Sequence, residues 1–247
     1  MNMSNNYKQG FSNLKKALII VHQKRSDPGE VGIKLKSRGY DLDVRRPALG
    51  EKLPESMDDH NLAVIFGGPM SINDMNKDFI RKEIDWIELA LKSSKPFLGI
   101  CLGAQMLAKS LGGTVGKNSD NSYEIGFFDI EPTKIGNRMF EKQKTFFQWH
   151  NEGFNVPKEC IVLAEGKKFR QQAFKFNNAF GLQFHPEVNL KLHLLWIYYT
   201  LMLNPHKLKD KGTQSIYKQL AKRIKHDYRI KNWLDDFLDN YLLNHEG

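Results

Sequence analysis

The sequence has little cysteine and no long apolar run. Only two cysteines occur in 247 residues, too few for the disulfide framework of small secreted proteins. No segment reaches the roughly 20 consecutive apolar residues that a membrane-spanning helix needs, and the best candidate, residues 190–203, carries Lys191 and His193. No charged and apolar leader precedes a small-residue cleavage site. We therefore predict a cytoplasmic protein without a membrane segment.

Motifs for common cofactors are also missing. Neither Gly-x-Gly-x-x-Gly nor Gly-x-x-x-x-Gly-Lys-Ser/Thr occurs, so no loop is predicted to hold a nucleotide phosphate. Cys-x-x-Cys and His-x-x-x-His spacings do not occur either, which disfavours a zinc site. We predict no cofactor and no metal.

The bulk composition is that of a folded globular protein. Hydrophobic residues make up 40% and charged residues 26%, both ordinary values, and α/β folds of this length often form one domain. The first residues are polar and without pattern. We predict a flexible N-terminal tail over residues 1–14 and a single domain over residues 15–247, with a helical C-terminal part from about residue 190.

The positive charge is concentrated late in the chain. The formal net charge is +9, and residues 205–231 hold nine Lys or Arg against two Asp, a net of +7. The same segment has Ile216, Leu220 and Ile224 at helical spacing. This pattern favours a helix with a solvated basic face over a nucleic-acid surface, so no nucleic-acid partner is predicted.

Strand-like and helix-like segments alternate through the first half of the chain. Short apolar runs at 17–21, 40–44, 62–66 and 96–100 are separated by helical patterns, which predicts an α/β fold with a mostly parallel central sheet flanked by helices. A strand-rich, partly antiparallel second half follows, and then three helices. Its predicted strands span 125–130, 145–149, 161–164 and 180–184, and the helices span 190–203, 214–225 and a segment around 233–238.

Cys101 stands between an apolar strand and a helix in the pattern Gly-x-Cys-x-Gly, formed with Gly99 and Gly103. A nucleophile on such a turn takes a strained backbone, and the flanking glycines let strand and helix approach closely. The positive end of the following helix favours the nucleophilic thiolate. An isolated cysteine is more often a small core residue, as we expect for Cys160, but this setting favours a nucleophile.

Two backbone amides are candidates for an oxyanion hole. The Leu102 amide opens the helix after the nucleophile, and a second donor is expected at Gly68 in the turn Gly67-Gly68-Pro69, which follows another strand. Taken alone, that turn is more typical of an ordinary tight turn.

His185 is the candidate base, and Glu187 the residue that orients it. His185 ends an apolar strand, and residues at i and i+2 share one side of an extended chain, so the carboxylate can hold the imidazole in the required tautomer. Because sites of parallel-sheet enzymes collect at the carboxyl ends of strands, we expect Cys101 and His185 in one cleft.

Four motifs resemble those of the class I (triad-type) glutamine amidotransferases. In chain order they are Gly67-Gly68-Pro69, Gly99-Ile100-Cys101-Leu102-Gly103-Ala104-Gln105, Gln148-Trp149-His150-Asn151-Glu152 and Phe184-His185-Pro186-Glu187. The chain is most similar to stand-alone proteins that resemble the glutaminase domain of GMP synthase, with a looser match at Asn232-Trp233-Leu234. The resemblance implies the flavodoxin-like class I amidotransferase fold.

The resemblance also implies roles for individual residues. Cys101, His185 and Glu187 match the catalytic triad, and the Gly68 and Leu102 amides match the oxyanion donors. Substrate-binding positions are implied in two further motifs, namely Gln105, which contacts the bound glutamine, and the backbone near Gln148, Trp149 and His150, which clamps its amino-acid end. The segment departs from the family after His150, where a Gly-Asp pair is common.

The implied reaction is hydrolysis of the glutamine amide through a Cys101 thioester without a cofactor. Ammonia would pass to a separate synthetase, because the chain leaves no room for one. Two alternatives stay open: a hydrolase of γ-glutamyl peptides or γ-glutamyl amines, which a wider pocket would mark, and a non-enzymatic binding or regulatory protein on the same scaffold.

Overall fold

The computed structural model describes residues 15–74 and 76–244, which form eleven strands and six α-helices. The strands are β1 (Lys15–Ile20), β2 (Tyr40–Arg45), β3 (Leu62–Ile65), β4 (Phe97–Ile100), β5 (Thr114–Gly116), β6 (Glu124–Pro132), β7 (Thr145–His150), β8 (Gly153–Asn155), β9 (Ile161–Gly166), β10 (Gln171–Phe176) and β11 (Ala179–Leu182). The helices are α1 (Gly29–Ser37), α2 (Asp78–Lys92), α3 (Leu102–Ser110), α4 (Asn137–Phe140), α5 (Leu190–Leu203) and α6 (Ile216–Phe237). A π-helical turn, Leu238–Leu242, continues α6.

One mixed sheet organises the molecule, as predicted. Its main strand order is β2-β1-β3-β4-β11-β10-β9-β6-β7, with β5 and β8 attached beside β10. Neighbours from β2 to β11 are parallel, and those from β11 to β7 are antiparallel. The prediction of an α/β fold with a strand-rich second half is confirmed, and helices cover both faces of the sheet.

The centre of the sheet is almost wholly apolar. Residues of β1, β3, β4 and β11 are buried on both faces, which explains why these strands are continuous apolar runs rather than alternating ones. Two apolar clusters result, one on each side of the sheet. Strands β4 and β11 are parallel neighbours in which Ile100 is paired with Leu182, so the residues that follow them emerge side by side.

Three strands were missing from the sequence prediction. Strands β5 and β8 have three residues each, too few for a period-2 pattern to stand out. Strand β10 begins with Gln171 and Gln172, and the second of these side chains is buried in a hydrogen-bond network with Gln148 and Glu124. Because these buried side chains are polar, β10 lacks the apolar pattern by which a strand is predicted from sequence.

The C-terminal helices differ from the prediction in two ways. The segments predicted as 214–225 and about 233–238 form one continuous helix, α6, because no Gly or Pro separates them. The Ile216, Leu220 and Ile224 side of α6 is not its core face, and Ile224 is 81% exposed. The buried stripe is instead largely polar in its first half, consisting of Gln219, Arg223, His226, Ile230, Trp233, Leu234 and Phe237.

Hydrogen bonds and ring contacts allow these polar side chains to be buried. Gln219 lies 3.0 Å from the His193 ring on α5. The Arg223 guanidinium is 4.8 Å from the centre of the Phe127 ring and 4.9 Å from that of Phe147, and it pairs with Asp227. Helix prediction from sequence assumes that the buried stripe is apolar. Because the buried stripe of α6 is polar in its first half, its apolar side was wrongly predicted to face the core.

The tail predicted over residues 1–14 lies outside the described residues, and the single-domain organisation stays a prediction. Within the described ranges, no helix combines the length and hydropathy that are required to cross a bilayer.

Candidate active site

A cleft opens at the carboxyl ends of β4 and β11. Its volume is about 590 Å³, and its lining includes Cys101, His185, Glu187 and the turn at residues 67–69. The loop after β1 and the C-terminal half of α5 form the outer walls. Residues that are far apart in the sequence thus meet where parallel-sheet proteins place their sites.

Cys101 sits on a strained turn between β4 and α3. Its φ is +52° and its ψ is −104°, a conformation that non-glycine residues rarely adopt. The Cys101 amide donates to the Leu182 carbonyl oxygen at 2.7 Å, and the side chain is 6% exposed. Gly103 permits the close packing, because a Cβ there would lie 2.1 Å from the Ile65 carbonyl oxygen.

His185 and Glu187 form a buried pair beside this cysteine. The His185 Nδ1 lies 2.7 Å from the Glu187 Oε1, and both residues are at most 3% exposed. The backbone N–H of His185 donates to the Phe147 carbonyl oxygen on β7 at 2.8 Å. Because Nδ1 donates to the carboxylate, Nε2 is the nitrogen left for chemistry.

The charge state of His185 depends on both neighbours. Burial lowers its pKa, but the negative charge of Glu187 and the neighbouring Cys101 side chain outweigh burial and raise the pKa to about 10. Within the described residues, Nε2 makes no hydrogen bond of standard geometry. The arrangement favours the protonated, imidazolium form of His185 next to the Cys101 sulfur.

The turn after β3 supplies the opposite wall. Gly67 lies against the reacting pair, since a Cβ there would be 2.9 Å from the His185 Cε1 and 3.4 Å from the Cys101 Cβ. Gly68 borders Leu102, whose Cδ2 would be 3.0 Å from a Cβ at that position. The Leu102 amide lies in the first turn of α3, where N–H groups have no intrahelical acceptor. The two residues predicted to supply the oxyanion donors, Gly68 and Leu102, are thus neighbours in the lining of the cleft.

A buried His–Glu pair beneath this turn was missed in the sequence. His22 Nδ1 lies 3.2 Å from the Gly67 carbonyl oxygen, and Nε2 lies 3.0 Å from the Glu83 Oε2 on α2. Both side chains are inaccessible to solvent. Both partners are hydrogen-bond acceptors that an imidazole N–H can approach. The pair fixes the orientation of the Gly67–Gly68 peptide.

Gln183 is a second residue that sequence reasoning missed. Its Nε2 lies 3.7 Å from the Cys101 sulfur, and its Oε1 accepts from Gln105 Nε2 at 3.3 Å. A signal was present, because Gln183 stands two positions before His185, a spacing that places residues on one side of an extended chain. Gln105 also donates to the Glu152 carbonyl oxygen at 2.9 Å.

The model of the glutamine amidotransferase class-I family matches residues 31–198. This chain belongs to the class-I glutamine amidotransferases. Membership supports, in general terms, an enzyme that hydrolyses the amide of glutamine.

Individual amidotransferases agree in sequence and in fold. The glutamine amidotransferase-like protein YfeJ of Salmonella typhimurium is 29% identical over 183 residues, covering 70% of this chain and 76% of that protein. A subunit of the glutamine-hydrolysing GMP synthase of Sulfurisphaera tokodaii is 35% identical over 56% of this chain and 73% of its own. A glutamine amidotransferase structure from Thermotoga maritima superposes with a TM-score of 0.82 at 31% identity, covering 93% of this chain and 99% of that one.

Only part of the segment predicted to bind the amino-acid end of the substrate lines the cleft. Trp149 and His150 line the cleft, and His150 is held by the Glu152 carbonyl oxygen at 2.9 Å and by the Gln148 and Glu124 side chains. Gln148 does not line the cleft and is fully buried behind it, bonded to Gln172. The Gln148 side chain therefore supports His150, and the role predicted for the backbone of this segment stays a prediction.

The outer walls of the cleft contain residues that no sequence motif indicated. Trp196 on α5 packs edge-on against the His185 ring, with centroids 5.1 Å apart, and against Trp149. One turn further along α5, Tyr199 meets Arg25 from the loop after β1, with the Arg25 guanidinium carbon 5.9 Å from the ring centre. Among the described residues, no group of three or more His, Cys, Asp or Glu side chains is arranged to hold a metal ion.

Proposed function

We propose that this chain hydrolyses the side-chain amide of L-glutamine, with Cys101 as nucleophile, His185 as acid and base, and Glu187 as the group that orients His185. The observation that carries the proposal is the cysteine at φ +52° beside a buried His185–Glu187 pair with a 2.7 Å contact. A strained, helix-capping cysteine next to an imidazole is typical of an activated thiol.

The first half of the reaction forms a thioester. The Cys101 sulfur attacks the amide carbon, a C–S bond forms, and the oxyanion is stabilised by the Gly68 and Leu102 amides. The C–N bond then breaks while the His185 Nε2 gives its proton to the departing ammonia.

The second half regenerates the thiol. Water attacks the thioester carbon while His185 takes its proton, the C–S bond breaks, and glutamate leaves. Gln105, Trp149 and His150 are the groups proposed to contact the amino-acid end of the substrate. No step requires a cofactor.

A γ-glutamyl compound is the second candidate substrate, and one observation favours it. The cleft of about 590 Å³ falls in the range of roughly 300–1,000 Å³ that is usual for ligands much larger than one amino acid. The same steps would release an amine in place of ammonia.

A separate ammonia acceptor is also proposed for this chain. The relative from Sulfurisphaera tokodaii is part of a glutamine-hydrolysing GMP synthase, which supports a role as the glutaminase partner of a synthetase.

The test measures glutamate and ammonia release from glutamine by the purified chain and by two cysteine variants. Cys101→Ala should abolish turnover. Cys160→Ala should retain it, because burial and Glu159 raise the pKa of that thiol to about 11, which keeps it protonated. Equal activity in Cys101→Ala and the unmodified protein would rule out the proposed nucleophile.

A further inference from the structure

The mouth of the cleft has a cationic and aromatic corner that glutamine hydrolysis does not use. We infer that this corner is a leaving-group subsite, and that it selects γ-glutamyl amino acids and short γ-glutamyl peptides, whose departing amine carries a carboxylate. The inference rests on the proposed function, because it assumes that acyl transfer occurs at Cys101. We call the corner the outer subsite, and it comprises Lys24, Arg25, Trp196, Tyr199 and Lys207.

The triad defines which end of a substrate reaches the outer subsite. The scissile carbonyl must contact the Cys101 sulfur, and the departing nitrogen must lie near the His185 Nε2, which protonates it. Trp196 packs edge-on against the His185 ring at 5.1 Å. A group attached to the departing nitrogen therefore extends past His185 towards Trp196, while the glutamyl end lies towards Gln105 and His150.

The walls of the outer subsite are suited to an organic group rather than to ammonia alone. Trp196 and Tyr199 lie one helical turn apart on α5 and line the same cleft. Both are partly exposed, so they present ring surface to the cleft. Aromatic surfaces of this kind bury the carbon skeleton of a ligand.

The charge of the outer subsite distinguishes between leaving groups. Lys24, Arg25 and Lys207 all line the cleft, and none of them forms an ion pair with a carboxylate in residues 15–74 and 76–244. The Arg25 Nη1 lies 2.5 Å from the Tyr199 hydroxyl, which directs the guanidinium across the cleft mouth. A carboxylate on the leaving group meets an arginine already held in place, and a cationic amine is repelled.

Carboxylates also line the cleft but are positioned for other contacts. Asp27 accepts from the Gly29 amide at 2.8 Å, at the start of α1. Glu152 accepts from the Ser71 hydroxyl at 3.0 Å, on the side of Gln105 and the glutamyl end. Glu187 is occupied by His185. The carboxylates nearest the outer subsite thus leave its three cations without an ion-pair partner.

The chemistry is the proposed acyl transfer with an amino acid as leaving group. The C–N bond of the γ-glutamyl linkage breaks, the free amino acid departs with the proton from His185, and water then cleaves the thioester to glutamate. No oxidant, reductant or additional reactant is needed.

The experiment compares two substrates that differ only in the predicted contact. These are γ-glutamyl-alanine and γ-glutamyl-alaninamide, whose leaving groups are matched in size but carry a carboxylate and a neutral amide. The unmodified protein should favour the acid by about tenfold in kcat/KM, the scale of one charge-assisted hydrogen bond in a partly exposed site. In Arg25→Gln that preference should fall to about one. Arg138→Gln, an exposed arginine outside the cleft, should keep it.

A binding measurement separates failure of the subsite from failure of the proposed reaction. Calorimetric titration of both compounds into Cys101→Ala, with and without Arg25→Gln, reports on the outer subsite when nothing is hydrolysed. Tighter binding of the acid that depends on Arg25 would support the subsite even if the unmodified protein hydrolyses neither compound nor glutamine. Equal binding and equal turnover of acid and amide would overturn it, even if glutamine is hydrolysed.

Discussion

At the scale of single residues, the pH dependence of turnover is expected to follow His185. Its pKa is raised to about 10, and Glu187 is the larger of the two neighbouring charges that raise it. Below that pH His185 is protonated, and this proton is needed by the leaving group. The alkaline limb of kcat/KM for glutamine should therefore lie far above the ordinary histidine value of 6.5.

Replacing Glu187 tests this dependence. Glu187→Gln removes the negative charge that favours the imidazolium, so the alkaline limb should move to lower pH and kcat should fall by about a hundredfold or more. Asp43→Asn alters a second carboxylate–histidine pair, Asp43 with His60, outside the cleft and should leave the limb in place. An unchanged limb in Glu187→Gln would show that this carboxylate does not set the charge of His185.

His22 is expected to act by positioning the oxyanion turn. His22→Ala removes the hydrogen bond to the Gly67 carbonyl oxygen, so the Gly68 amide loses its fixed direction. We expect kcat to fall by about tenfold with little change in KM, less than the 10²–10³ typical of losing an oxyanion donor outright. Steady-state kinetics on glutamine measures both constants.

A second buried histidine, His60, provides a control that separates an effect on positioning from an effect on stability. His60 is 3% exposed and also bonded to a carboxylate, but unlike His22 it makes no hydrogen bond to the turn at residues 67–69 within the described part of the chain. His60→Ala should lower the free energy of unfolding without lowering kcat. If His22→Ala is destabilised to the same degree and keeps its kcat, His22 is only structural.

At the scale of elements, α6 supports the segment after β11 that carries His185. Trp233 stacks on Phe140 and Phe237 with ring centroids 5.5 and 5.2 Å apart, and it meets the edge of Phe184, the residue before His185. Its indole N–H donates to the Met139 carbonyl oxygen at 2.8 Å. A single aromatic cluster therefore joins the last long helix to the active site.

Truncation of Trp233 should be among the most destabilising single changes. Trp233→Ala is expected to lower the free energy of unfolding by about 3–5 kcal/mol, as for other buried aromatic residues. Trp233→Phe keeps a stacked ring but loses the hydrogen bond, so it should cost about 1 kcal/mol. Urea unfolding followed by circular dichroism gives both values, and equal losses in the two variants would mean that ring burial is not the main contribution.

Elements differed in how well the sequence predicted them. The Gly-x-Cys-x-Gly turn and the helix over 190–203 were predictable, because glycine spacing and a largely apolar run are local signals. Strand β10 and the core face of α6 were not, since Gln172, Gln219 and Arg223 are buried through partners distant in sequence. No local pattern reveals such partners before the fold is known.

At the scale of the whole molecule, the mixed sheet determines which residues meet in the cleft. The parallel half brings Cys101 and His185 together at the ends of adjacent strands, which sequence order and the rules of α/β folds could anticipate. The outer cleft could not be anticipated, because it depends on how the loop after β1 meets α5 across the sheet. Arg25 and Tyr199 are 174 positions apart in the chain.

The central claim is that Cys101 carries the glutamyl group during turnover. The most direct measurement is acid quenching of the protein during glutamine hydrolysis, followed by proteolysis and mass spectrometry of the two cysteine-containing peptides. The account predicts a glutamyl thioester on the Cys101 peptide, none on the Cys160 peptide, and none on either peptide in Cys101→Ala. Turnover with no adduct at Cys101, or with the adduct at Cys160, would contradict it.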